Sequence, residues 1–179
     1  MTAIVTVQSV KLTFDDASLA INDLVAYWEA RGGGRPMPTR RDLDAVDLRP
    51  WLGRANLFER MRDGDLRVRL RGTELGNFRG HFTDGAVFRQ VRPRPYAERI
   101  FLDHQETFAT GRPARHRLEL DLAGYRYGFD RLALPLAEGS GLPAMMLVFV
   151  EFDLRASREF WRRYVEAEDG PEAEPAFRF

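Results

Sequence analysis

The stretch ARHRLELDLAGYRYGFDRLALPLAEGSGLPAMMLVFVEF, residues 114–152, holds three runs of strand character separated by two turn signals. In the first run Leu118, Leu120 and Leu122 alternate with Glu119 and Asp121, the period of two that sends one set of side chains to a core and the other to solvent. Ala123-Gly124 and AEGSG read as tight turns, so the three runs are expected to pair as consecutive antiparallel strands. The last, PAMMLVFVEF, is apolar at nearly every position. A strand of that kind belongs at the centre of a sheet covered on both faces.

Such a sheet needs further strands, and they lie upstream. Segments near Asn56–Glu59 and Asp65–Arg71 flank an Asp63-Gly64 hairpin signal. Within the second, Leu66, Val68 and Leu70 are expected on one side and Arg67, Arg69 and Arg71 on the other. Apolar residues at helical spacing predict a helix over Ser18–Arg31 carrying Ile21, Leu24, Val25 and Trp28, capped by Ser18 or Asp16 and stopped by Gly32 to Gly34. This helix is expected to cover the central strand. Another helix runs over Tyr96–Thr110, closed by Gly111 and Pro113, and a last one over Ser157–Ala167 bears the stripe Phe160, Trp161, Tyr164 and Val165. Between the second strand and the long helix, TELGNFRGHFTDGAVF reads as short turns broken by glycines.

These elements give an α+β fold class: a five-stranded antiparallel sheet with helices over one face and flanking N- and C-terminal helices. One domain spans 1–179, divided into an N-terminal extension and flanking helix (1–50), a core (51–153), a C-terminal helix (154–168) and a mobile acidic tail (169–179).

Composition narrows the function. The 27 basic and 27 acidic residues cancel, so no global field draws the chain to nucleic acid or an anionic membrane. The absence of cysteine excludes disulfides, thiolate metal sites, iron–sulfur clusters and cysteinyl adducts. The N-terminus shows no signal-peptide character and no run approaches a membrane span. The expected location is cytoplasmic.

The order of elements resembles a PAS domain, and the resemblance extends to motifs. LVAYWEARGGGRPMPTRRDLD, RVRLRGTELGNFRG and LALPL are similar to the pattern of small bacterial proteins built from one PAS domain with a preceding helix: Tyr-Trp on the first helix, a Met-Pro-x-Arg connector, an Arg-Leu-x-Gly-Thr strand end and a late Pro-Leu. The match runs from about Leu24 to Glu151 and departs at DLDAVDL and RGHFTDG. It implies a sensory or adaptor role.

The glycines at 72, 76, 80 and 85 do not make a phosphate cradle, because GNFRGHF lacks the Lys and Ser/Thr of a P-loop. They either hinge short turns around a pocket or permit close packing. The histidines are His81, His104 and His116. His104 shares a helix face with Ile100 and Phe108, and in haem-binding PAS domains the axial histidine comes from the corresponding helix, so the resemblance implies haem through His104 as one option. A core histidine with an ordinary polar partner is the other. EGSGL lies in a hairpin turn and lacks the nucleophile-elbow pattern, and no carboxylate pair stands out, so no catalysis is expected. FRQVRPRPYAER gathers Arg89, Arg92, Arg94 and Arg99 with Phe88 and Tyr96, which suits RNA binding or a solvated, ion-paired loop.

The leading expectation is a non-catalytic sensory or adaptor protein holding an unknown small molecule between sheet and helices. Ligand-binding residues are expected to be Phe101, His104 and Phe108 from the long helix and Tyr125, Tyr127 and Met146 from the strands; for each of the six, ordinary core packing is the alternative. A protein partner and a homodimer through the flanking helices are expected, because exposed aromatic stripes are costly, although docking of those stripes within the chain would serve as well. The alternative is an interaction module with a filled core and no ligand.

Overall fold

The computed structural model describes residues 4–75, 84–139 and 141–169. Among the described residues the α-helices and strands are, in chain order, β1 (Val5–Leu12), α1 (Leu19–Gly32), α2 (Arg49–Leu52), β2 (Ala55–Arg60), β3 (Leu66–Leu70), α3 (Arg94–Thr110), β4 (Ala114–Leu122), β5 (Tyr125–Glu138), β6 (Leu142–Glu151) and α4 (Leu154–Asp169). The strands form one sheet in the order β1-β4-β5-β6-β2-β3, antiparallel throughout.

The sheet has six strands instead of the expected five, because β1 pairs along β4 from Val5 opposite Leu122 to Leu12 opposite Arg115. Its sequence, VTVQSVKL, alternates only weakly, and an edge strand with one neighbour needs no strong hydrophobic pattern. Ser18 caps α1, its Oγ accepting a hydrogen bond from the Ile21 amide at 3.3 Å. The helix ends at Gly33, whose φ of 57° lies in the left-handed region that glycine enters without steric cost.

Two cores lie on opposite sides of the sheet. On one, α1 packs Ile21, Leu24 and Trp28 against Leu132, Leu134, Leu136 and Leu147, and the Trp28 indole donates to the Pro135 carbonyl at 2.8 Å. On the other, α3 and α4 cover Leu118, Leu120, Tyr127, Phe129, Met146 and Val148. β6 contributes Met146 and Val148 to this side and Leu147 and Phe149 to the α1 side, as its unbroken apolar run requires. The α4 stripe of Phe160, Trp161, Tyr164 and Val165 is buried within the chain's own core.

One alternation fails. Leu66 and Val68 enter the core beneath α3, but Leu70 packs on the α1 side. Leu57 pairs with Leu70 while its neighbour Phe58 pairs with Val68, so Arg69 is an extra residue in β3 and reverses the facing of Leu70. Just beyond, Gly72 lies so close to β2 that a Cβ there would meet the Gly53 carbonyl oxygen at 2.5 Å and the Ala55 nitrogen at 2.8 Å. Its role is close backbone packing. Gly85 takes a positive φ of 85° in a turn. Gly76, Gly80, His81 and the tail residues 170–179 lie outside the described residues.

Candidate functional site

α3 presents Ala97, Ile100, His104 and Phe108 to the sheet at spacings of three and four. Opposite them, Arg131 on β5 points to this side while its neighbours Asp130 and Leu132 point to the α1 side, the plain consequence of a two-residue period. His104 and Arg131 thus meet inside the protein, 1% and 2% exposed.

They border a pocket of about 80 Å³ between β2, β5, β6, α3 and α4. Its walls are largely aromatic, with Phe58, Phe88, Tyr96, Phe129 and Trp161 around it and Ser157 of α4 at one side. The His104 ring stands 5.1 Å from that of Phe58 and 5.7 Å from that of Phe88. Exposed Arg92 borders the same space. Among the described residues that line it there is no Asp or Glu.

The polar groups at this site are incompletely partnered. Arg131 donates through Nη2 to Asp103 Oδ2 at 2.8 Å, but among the described residues its Nε and Nη1 have no hydrogen-bond partner, and neither do Nδ1 and Nε2 of His104. An unsatisfied buried polar group costs on the order of 1–3 kcal/mol, so four such nitrogens at one cavity demand an account. Asp103, by contrast, is saturated: Ser9 Oγ donates to it at 2.7 Å, Arg99 Nε at 3.1 Å, and His116 Nε2 stands 3.9 Å away. Ser9 belongs to β1, so the extra strand supplies part of this network.

The electrostatics of the site are set by burial and by Arg131. Burial pushes the Asp103 carboxyl up, but the Arg131 charge and the hydrogen bonds from Arg99 and Ser9 outweigh it and hold the group below the usual carboxylate range. Burial, then the nearby Arg131 and His116, force His104 well below the ordinary histidine value, so the ring is neutral. Burial likewise lowers His116 against the pull of Asp103. Burial pushes the Tyr96 hydroxyl up to about 12 in spite of the Arg131 charge.

Of the residues singled out in the sequence, His104 and Tyr127 border the cavity, Tyr127 sharing a hydrogen bond with Ser157. Met146 is fully buried in the core of the same face. Phe108 is core as well, with the Arg60 guanidinium 5.5 Å from its ring centroid. Phe101 lies in a separate groove beside Arg94 and Glu98. Tyr125 faces α4 at a shallow depression, with Arg163 4.3 Å over its ring. Sequence reasoning missed Arg131, whose signal was a charge at the head of the apolar run LALPL.

Among the described residues no three His, Asp or Glu converge as a metal site. In the arginine-rich segment Arg89 pairs with Asp65 at 3.0 Å and Arg99 with Asp103, Arg92 and Arg94 are exposed, and Phe88 is 2% exposed and unable to stack a base. No helix among the described residues is long and apolar enough to cross a membrane.

No curated protein matches the chain. Among solved structures, that of an RNA-binding light-oxygen-voltage receptor is similar over 92% of this chain and 43% of that one, at 10% identity and a TM-score of 0.39. The chain thus spans less than half of that receptor's length. Residues 17–92, from the start of α1 through β2 and β3 to the turn before α3, match the family model of the PAS domain. That match covers the first part of the fold, and the antiparallel sheet with its covering helices is the architecture expected for such a domain.

Proposed function

We propose that this protein is a non-catalytic cytoplasmic sensor or adaptor that holds a small molecule in the cavity between β5, β6, α3 and α4. The carrying observation is the juxtaposition of an aromatic-walled space with four buried nitrogens that have no partner among the described residues. Natural interiors pair such groups with protein, water or ligand, and a PAS domain is a sensory and signalling module. Ser157 and Trp161 tie α4 directly to the cavity, so occupancy changes the packing beneath that helix. A ligand that prefers one packing of α4 over another shifts the balance between them by its difference in affinity, and the outer faces of α4 and α1 then present that change to a protein partner or a second copy.

Native mass spectrometry of gently purified full-length chain tests this reading. A retained organic mass that disappears in Val148→Phe, which fills the cavity, supports it. A bare chain mass in both proteins turns the reading to an interaction module without a ligand.

A further inference from the structure

The two edges of the sheet are built differently. Along β3 the edge is blunted: Arg69 forms a bulge, Arg67 bridges to Val87, and Val68 exchanges hydrogen bonds with the turn, its amide donating to the Ala86 carbonyl at 2.9 Å and its carbonyl accepting from the Gly85 amide at 2.7 Å. Bulges, charges and covering segments are how sheets keep an edge from pairing further. β1 is left open. Its eight residues run along β4 in one unbroken register from Val5 to Leu12, without proline or bulge, and among the described residues no segment pairs with its other side. Alternate residues of such a strand turn their amides and carbonyls toward that side. Its one charge, Lys11, is drawn onto α3 by Glu106 at 2.5 Å. An edge of this kind is a template for a further strand.

The groups beside β1 say which strand fits. Thr6, Gln8 and Val10 are exposed on the face turned away from α3, Val10 by 57%. On the other face α3 runs in the same direction as β1, with Ser9 meeting Asp103 and Lys11 meeting Glu106. Arg99, Leu102 and Glu106 follow one another on α3 at spacings of three and four, so they share a stripe. Because Glu106 reaches Lys11, that stripe borders the open edge. Leu102, 57% exposed, stands in it between a positive and a negative residue, close to the level of Ser9. Such a stripe is complementary to its own reverse. A second copy turned about an axis through Gln8 and perpendicular to the sheet sets Glu106 toward the partner's Arg99 and Leu102 toward the partner's Leu102. The same turn keeps the two lysines apart, each Lys11 lying opposite the partner's Val5.

We infer that two copies of the chain join edge to edge through β1, antiparallel about Gln8, into one continuous sheet with a two-fold, self-complementary interface. One strand and one helix stripe make a contact smaller than the ~1,600 Å² of a standard interface, so the dimer dissociates on dilution. It leaves the outer faces of α1 and α4 open to another partner, and it stands whether or not the pocket is filled.

Sedimentation velocity of the full chain from ~2 to ~200 μM tests the association across the micromolar range. Single cysteines place it, because the chain has none of its own. Gln8→Cys is expected to give a disulfide-linked dimer under mild oxidation, since opposed residues of an antiparallel pair have Cα atoms ~4.5–5.5 Å apart, within disulfide reach. Leu102→Glu, a surface change that sets like charges across the axis, is expected to weaken association ~10-fold or more with the urea midpoint unchanged. A chain that stays monomeric at ~200 μM overturns the inference, and that result is read on the unaltered protein. A dimer that Gln8→Cys fails to cross-link overturns it as well; efficient cross-linking of Leu19→Cys, on the exposed start of α1, would then place the contact on that helix.

Discussion

Two buried arginine–aspartate pairs sit back to back across the sheet, and they differ in completeness. Asp130 and Arg131 are consecutive residues of β5 that point to opposite faces. On the α1 side, Arg115 has every nitrogen engaged: Nε and Nη2 donate to Asp130 at 3.2 and 2.6 Å, and Nη1 to the Thr13 carbonyl at 3.0 Å and to Asp16 at 2.6 Å. Around it the core is leucine on leucine. On the α3 side, Arg131 has one nitrogen engaged and two open, beside a cavity instead of a filled wall. The same residue types serve structure where their hydrogen bonds close and recognition where they do not.

The largest effect is expected from removing the aspartate on the open side. Asp103→Ala leaves Arg131 buried without its counter-ion and should destabilise by roughly 3–5 kcal/mol, read from the urea midpoint. On the closed side, Leu134→Ala creates a cavity in a filled core and should cost about 3 kcal/mol in the same assay. Asp130→Ala should cost less than Asp103→Ala, about 2 kcal/mol, because Arg115 keeps the Thr13 carbonyl and Asp16, whose side chain is 76% exposed and brings that cluster close to water. Equal losses for the two aspartates would erase the distinction between the faces.

The smallest effect is a pH slope. His104 is held neutral well below the usual histidine value in the folded chain, whereas the unfolded chain titrates near pH ~6.5. The unfolded state therefore takes up protons first as pH falls. Stability is full above that pH and declines below it, by about 1.4 kcal/mol per pH unit from His104, with His116 acting in the same direction. Asp103, held below its usual range, stays ionised across this window and does not offset the loss. His104→Leu should flatten the slope measured by urea unfolding between pH 7 and pH 5, leaving the part due to His116.

Legibility in the sequence divides along the same line. The closed face could be read directly, because the Ser18 cap, the Ile21, Leu24 and Trp28 spacing and the apolar run of β6 are local signals that the packing confirms. The C-terminal stripe was visible too, although it packs within the chain. The open face was less legible. His104 was placed by helical spacing, but a charged Arg131 in a strand reads as solvent-facing until Asp103, 28 positions earlier, is brought against it. β1, which brings Ser9 to that aspartate, had too little alternation to be read as a strand. Leu70 changed sides through a bulge that no spacing within β3 announces. Long-range pairing of polar groups, rather than hydrophobic period, builds the site.

The most direct test compares Arg115→Met and Arg131→Met in the full-length chain by urea midpoint and by native mass spectrometry. A loss of stability with the retained small-molecule mass kept is predicted for Arg115→Met, and loss of that mass for Arg131→Met. Equal loss of the mass in both variants, or its retention in Arg131→Met while the chain remains folded, would contradict the assignment of the open face to recognition.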